Sequence, residues 1–100
     1  MEWIHLRLAE ILNEFKTAKE NLSQVHAETD WQEIEKMEIR MQKILEHLER
    51  LQRLANIFQI LKKDEITEEI RKHIEEIKAL IDKCDDAYKT ALRNQGYLHE

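Results

Sequence analysis

Apolar residues recur at alternating spacings of three and four along most of this chain, and that spacing is the strongest constraint on its fold. Residues three and four apart share one face of an α-helix. Three separate stretches show the pattern, so three long helices are predicted, each with one buried face. The stripes are Ile4, Leu8, Ile11, Phe15, Ala18, Leu22 and Val25; Ile34, Met37, Met41, Ile44, Leu48, Leu51, Ala55 and Phe58; and Ile66, Ile70, Ile74, Ile77, Ile81, Cys84, Tyr88 and Ala91.

The composition favours the same interpretation. The chain has no proline and one glycine, Gly96. Strands and tight turns are usually marked by glycine, proline or Asn-Gly, and none of these signals precedes Asn94. Charged residues make up 37% and apolar residues 42% of the chain, which is typical of a helical bundle. A length of 100 residues predicts a single domain over residues 1–100.

Residues that cap helices predict where each helix begins and ends. Thr29 or Asp30 is a suitable N-cap for the second helix, and Asp64 or Thr67 for the third. Gly96 can adopt the left-handed conformation that ends a helix. The predicted helices therefore span about residues 2–27, 30–62 and 65–94. Because the connections are short, neighbouring helices must be antiparallel, which gives an all-α, up-down-up three-helix bundle with heptad-like coiled-coil packing.

This pattern of three long helices in about one hundred residues resembles a spectrin-type repeat. Members of that family usually carry a tryptophan inside the third helix, where this sequence has Ile77, Ile81 or Cys84. The resemblance implies a structural or partner-binding module without catalysis. The scarcity of glycine and proline is equally typical of an engineered or de novo helical bundle.

The segment LANIFQIL, residues 54–61, departs from the one-sided pattern. At ~100° per residue, Leu54, Ile57 and Leu61 lie nearly opposite the apolar face of the second helix. Trp3 and Leu6 lie off the face of the first helix, and antiparallel pairing places residue 3 level with about residue 54. These five residues are predicted to form an exposed patch that binds a helical protein partner or a second copy of the chain.

Other interpretations of this segment remain open. Isolated exposed apolar residues are ordinary on protein surfaces. The second helix could instead kink or end near Arg53, so that residues 54–61 fold back as a lid over the core. A contact with a small molecule or cofactor is a further alternative.

The histidines offer one candidate metal site. Glu69 and His73 are four residues apart on one helical face, and His5 lies near the same level. With water, these three could hold Zn²⁺. However, His5 lies ~100° from the apolar face of its helix, and a partly buried structural role is the alternative for His73. The alternative function is that of an engineered bundle that holds a small ligand or a metal ion in or near its core. For the main predicted function, no cofactor is predicted.

No pattern in the sequence predicts catalysis. Cys84 lies on the apolar face of the third helix, where a buried thiol is inert. The carboxylates are predicted to lie on solvated faces and to pair with basic residues four positions away. The pairs are Glu46 with Arg50, Glu49 with Arg53 and Glu68 with Lys72.

Charge and hydropathy restrict the partners further. The net charge is −5 and the basic residues are interspersed with acidic ones, so nucleic acid is not predicted as a partner. No apolar run approaches ~18 residues, and no signal-peptide pattern is present, so neither a membrane nor secretion is predicted. A single cysteine indicates a reducing cytoplasm or a recombinant source. The predicted function is a non-enzymatic helical scaffold or protein-interaction module.

Overall fold

The computed structural model describes residues 2–57 and 63–97. Within these ranges the chain forms three helices and no strand: α1 (Glu2–Ser23), α2 (Trp31–Ile57) and α3 (Lys63–Asn94). α2 packs most extensively against α3 and also against α1, whereas α1 and α3 approach each other at few positions. The predicted all-α three-helix bundle is confirmed.

Contacts between helices establish their directions. At the start of α2, the Trp31 ring lies 6.1 Å from the Tyr88 ring near the end of α3, so these two helices are antiparallel. Phe15 meets His73 at 6.4 Å between ring centroids, and Lys19 Nζ lies 3.3 Å from Glu76 Oε2. Residue numbers therefore increase in the same direction along α1 and α3, so these two helices are parallel. This gives the up-down-up order.

The predicted apolar stripes form the core. Most of their members are buried, and Val25, Met37, Ile81 and Tyr88 pack against the core while partly exposed. The buried set is Ile4, Leu8, Ile11, Phe15, Ala18, Leu22, Ile34, Met41, Ile44, Leu48, Leu51, Ala55, Ile66, Ile70, Ile74, Ile77, Cys84 and Ala91. Phe58 lies outside the described residues. Among those described, no polar or charged residue is fully buried, so apolar burial holds the helices together.

α1 ends at Ser23, four residues before the predicted boundary. The hydroxyl of Ser23 donates to the Glu20 carbonyl at 2.6 Å. Beyond it, the His26 N–H donates to Thr29 Oγ1 at 3.0 Å, and the Glu28 N–H donates to His26 Nδ1 at 3.1 Å. These side chains form hydrogen bonds with backbone groups that would otherwise bond within the helix. This competition ends α1 before the predicted boundary.

Two of the predicted helix boundaries are confirmed. The N–H groups of Glu33 and Ile34 donate to the Asp30 carbonyl at 3.0 and 3.3 Å, so Asp30 is the N-cap that immediately precedes α2. At the end of α3, Gly96 has a φ of +85°. The Tyr97 N–H donates to the Leu92 carbonyl at 2.8 Å, and the Gly96 N–H donates to that of Arg93 at 3.2 Å. This pair of bonds is a Schellman motif.

The predicted N-cap of α3 is wrong, although the helix begins only two residues before the predicted position. α3 begins at Lys63, so Asp64 and Thr67 lie inside the helix and neither is its N-cap. Glu65 follows in the first turn, where a carboxylate is favoured by the positive end of the helix dipole. The predicted end of the second helix, residues 58–62, lies outside the described residues.

Leu48 tests the packing of α2. Its side chain is completely buried at 0% exposure, so Leu48→Ala should lower the free energy of unfolding by about 2–5 kcal/mol. Urea denaturation followed by circular dichroism measures the change. Ile39→Ala is the control, because Ile39 is exposed on the same helix. A loss below ~1 kcal/mol at Leu48 would contradict this phasing of α2.

Gly96 tests the helix end. A Cβ added at Gly96 would meet no atom within 4 Å, so Gly96→Ala changes backbone strain alone. Because its φ is positive, the substitution should cost about 1 kcal/mol of stability in urea denaturation. Asn94→Ala, inside α3, is the control and should cause no comparable loss. Equal stability of the two variants would show that the left-handed conformation is not maintained in solution.

Candidate functional site

Exposed apolar side chains are found where the sequence predicts a patch. Trp3 is 42%, Leu6 64% and Ile57 69% exposed, whereas Leu54 is half-buried. Leu61 lies outside the described residues. We call Trp3, Leu6, Leu54 and Ile57 the Trp3 surface. It lies where the start of α1 meets the end of α2.

A groove brings two members of the Trp3 surface together. It has a volume of about 320 Å³ and is lined by Trp3 and Arg7 from α1 and by His47, Arg50, Leu51 and Leu54 from α2. The described lining residues all come from α1 and α2, so the groove lies along the surface of this helix pair. Leu6 and Ile57 each follow a lining residue by three positions, which places them about one turn from the groove on their helices.

The course of α2 excludes a break at Arg53. The helix continues through Arg53 to Ile57, and Ala55 remains fully buried on the predicted face. A lid that folds back from Arg53 is therefore wrong for the described residues, because Ile57 is still helical and largely exposed.

The ionisable residues among the described lining of the groove are all basic: Arg7, His47 and Arg50. The predicted pairing of Arg50 with Glu46 is wrong. Among the side chains that the structure describes, no carboxylate lies within 4 Å of the guanidinium of Arg7 or Arg50. The groove therefore combines apolar walls with two guanidinium groups that have no carboxylate partner in the described chain.

The other two predicted ion pairs do not form in the described chain either. Glu68 pairs with Arg71 rather than Lys72, and Arg71 Nη1 also lies 2.7 Å from Glu75 Oε1. A planar guanidinium can bind two carboxylates at once, which a lysine ammonium does less well. The bond from Arg71 lowers the pKa of Glu68.

The candidate metal residues are not assembled. In the part of the chain that the structure describes, no three histidine, cysteine or acidic residues are placed to hold a metal ion. His73 is half-buried, with its ring edge-on to Phe15 and its Nδ1 3.7 Å from Glu76 Oε1. Lys19 Nζ lies 4.5 Å from the centroid of the same Phe15 ring. His73 therefore joins α1 to α3, as its structural interpretation predicts.

Cys84 is buried in the core, as predicted. Burial raises the pKa of its thiol, and the nearby charges of Glu38 and Asp85 raise it further. A thiol in this state is a poor nucleophile.

Glu38 contradicts the expectation that every carboxylate is solvated. It is half-buried, and its Oε1 is enclosed without a hydrogen-bond partner in the structure. Burial raises the pKa of Glu38, and the charge of Asp85 adds to the effect. The position of Glu38 on the helical wheel could have predicted this burial. Glu38 lies at ~40° and Leu45 at ~20° from Ile34, on the flank of α2 that packs against the core.

An aromatic cluster at the other end of the bundle was not predicted. Trp31 contacts Tyr88 and Tyr97, the latter at 5.5 Å between ring centroids. The Tyr88 hydroxyl donates to Glu35 Oε2 at 3.0 Å. Gln95 Nε2 donates to the Thr29 carbonyl at 3.0 Å. These contacts attach the end of α3 to the start of α2. The antiparallel register of the two helices could have predicted that these residues lie close together.

Comparisons with protein-family models, curated proteins and solved structures gave no match to this chain. No helix within the described residues is long and apolar enough to cross a membrane.

Glu38 gives a pH-dependent prediction. Because its pKa is raised in the folded state, its contribution to stability is complete below the unfolded pKa and is lost as the pH rises through the folded pKa. At neutral pH the ionised, half-buried carboxylate destabilises the fold. Glu38→Gln should therefore increase the free energy of unfolding at neutral pH, and this gain should disappear near about pH 3.

Urea denaturation of the wild type and the variant at both pH values measures the difference. Glu46→Gln is the control, because Glu46 is exposed on the same helix; it should change stability by less than about 0.5 kcal/mol. A Glu38→Gln effect that is the same at both pH values would show that ionisation of Glu38 does not oppose folding.

Proposed function

We propose that this chain is a non-enzymatic helical module whose Trp3 surface binds an α-helix of a protein partner. The observation that carries the proposal is the groove lined by Trp3 and Leu54, with Leu6 and Ile57 largely exposed about one turn away. Aromatic and aliphatic side chains at helical spacing are the usual anchors in helix-in-groove recognition.

The shape of the site supports a helical partner. Side chains on one helix pack as ridges into the grooves of its neighbours. α3 occupies one side of the α1–α2 pair, and the described residues that line the groove come from α1 and α2 alone. A partner helix could therefore lie along the outer side of this pair. Such a role suits a spectrin-repeat-like structural module and equally an engineered scaffold.

The double substitution Leu6→Gln with Ile57→Gln tests this proposal. Glutamine has good helix propensity and adds no charge, and both positions are exposed, so the fold should be retained. The probe is a synthetic amphipathic helix of about 20 residues with leucines on one face and alanine and glutamine elsewhere. We expect it to perturb the indole N–H signal of Trp3 in NMR titrations of the wild type, and to bind the variant at least tenfold more weakly.

Ile39→Gln is the matched control. Ile39 is an exposed isoleucine of α2, and at 1.5 Å per residue it lies about 27 Å along the helix from Ile57. This variant should bind the peptide like the wild type. Equal binding by all three proteins, or no binding by the wild type up to about 1 mM peptide, would contradict the proposal. Unfolding of the double variant would show that Leu6 and Ile57 stabilise the fold rather than form a free surface.

A further inference from the structure

We propose that the partner helix is acidic, with a carboxylate one turn from its central apolar side chain. In this complex the apolar side chain enters the groove between Trp3 and Leu54, and the carboxylate pairs with Arg7 and Arg50. This inference rests on the proposed function and specifies the chemistry of the partner.

The charge of the groove is opposite to that of the protein. Acidic residues outnumber lysine and arginine by 21 to 16 in the chain, yet Arg7, His47 and Arg50 line the groove and none of its other described lining residues is acidic. Complementary charge across an interface steers encounter and selects partners. A carboxylate-bearing ligand matches this groove.

The two arginines are available for such a ligand. Arg71 is occupied within the fold, since its guanidinium binds both Glu68 and Glu75. Arg7 and Arg50 have no carboxylate partner in the described chain. Guanidinium groups are weakly hydrated and bind carboxylates in two-pronged geometry, which suits an ion pair at an interface.

The spacing along the groove determines the spacing required of the partner. Arg7 follows Trp3 by four residues on α1, and Arg50 precedes Leu54 by four residues on α2. Because α1 and α2 are antiparallel, both arginines lie one helical turn from Trp3 and Leu54, in the direction of the middle of the bundle. A partner helix that lies along the groove therefore needs an apolar residue and a carboxylate about four positions apart.

The same charges disfavour a second copy of this chain as the partner. In a two-fold dimer the same surface occurs on both sides of the interface. The guanidinium groups of Arg7 and Arg50 would then occur on both sides of the interface, and like charges in contact oppose association. No carboxylate in the described part of the groove lining would compensate these charges.

Three peptides test the inference. They share the leucine face of the probe above, and the positions one turn from the central leucine carry glutamate, glutamine or lysine. NMR titration of the Trp3 indole N–H and the Arg7 and Arg50 Nε–H signals gives each dissociation constant. We expect the glutamate peptide to bind about tenfold more tightly than the glutamine peptide, and the lysine peptide more weakly than both. The preference for glutamate should shrink at about 1 M salt.

Arg7→Gln with Arg50→Gln should remove the preference for glutamate and retain binding of the glutamine peptide. The control is Arg40→Gln with Lys43→Gln, which removes the same charge from exposed positions of α2 outside the groove and should retain the preference. Circular dichroism melting establishes that both variants are folded.

Each outcome bears on a different claim. Equal affinity for the three peptides would overturn the acidic partner and leave the proposed helix-docking function intact. Failure of all three to bind the wild type would overturn the proposed function itself. A wild-type dimer in sedimentation that dissociates in the Leu6→Gln, Ile57→Gln variant would identify a second copy as the occupant. Displacement of the glutamate peptide by equimolar 4-phenylbutyrate would identify a small carboxylate instead.

Discussion

Burial of the apolar face of α2 is the interaction on which the rest of the structure depends. α2 packs against both neighbours, whereas α1 and α3 meet at few positions, so the order of the bundle is maintained chiefly through the middle helix. Met41, Ile44 and Leu48 are essentially completely buried along it. Outside the shared core, α1 and α3 are joined by polar contacts at partly exposed side chains, since Lys19 and His73 both approach Glu76. Exposed polar contacts of this kind add little stability, so the apolar face of α2 dominates.

The core could be predicted from the sequence because helical periodicity is a local property. Each buried residue from Ile4 to Ala91 belongs to a stripe that can be read without knowing its neighbours. Asp30 and Gly96 could be predicted for the same reason, since their roles depend on backbone bonds within one turn. The end of α1 could not, because His26 and Thr29 form their own turn and the sequence does not show which set of bonds is more stable.

The candidate site was predictable in part. Antiparallel register places residue 3 level with residue 54, and Trp3 and Leu54 do line one groove. The unpaired basic charge of the groove was not predictable, because a spacing of four residues permits an ion pair without enforcing it. Glu46 does not pair with Arg50 in the described chain, and Glu68 pairs with Arg71 and not with Lys72. These outcomes depend on side-chain rotamers, and exposed pairs gain too little energy for spacing alone to decide them.

The division of the groove into an apolar end and a basic end has a consequence for recognition under the proposed function. Apolar contacts with Trp3 and Leu54 would supply most of the affinity, since desolvated aromatic and aliphatic anchors dominate binding energies. They would not determine the direction of a partner helix, because a leucine can enter from either orientation. Arg7 and Arg50 lie on one side of the apolar pair, so a carboxylate can reach them in only one of the two orientations. The basic end would thus determine the direction and register of a helix that the apolar end binds.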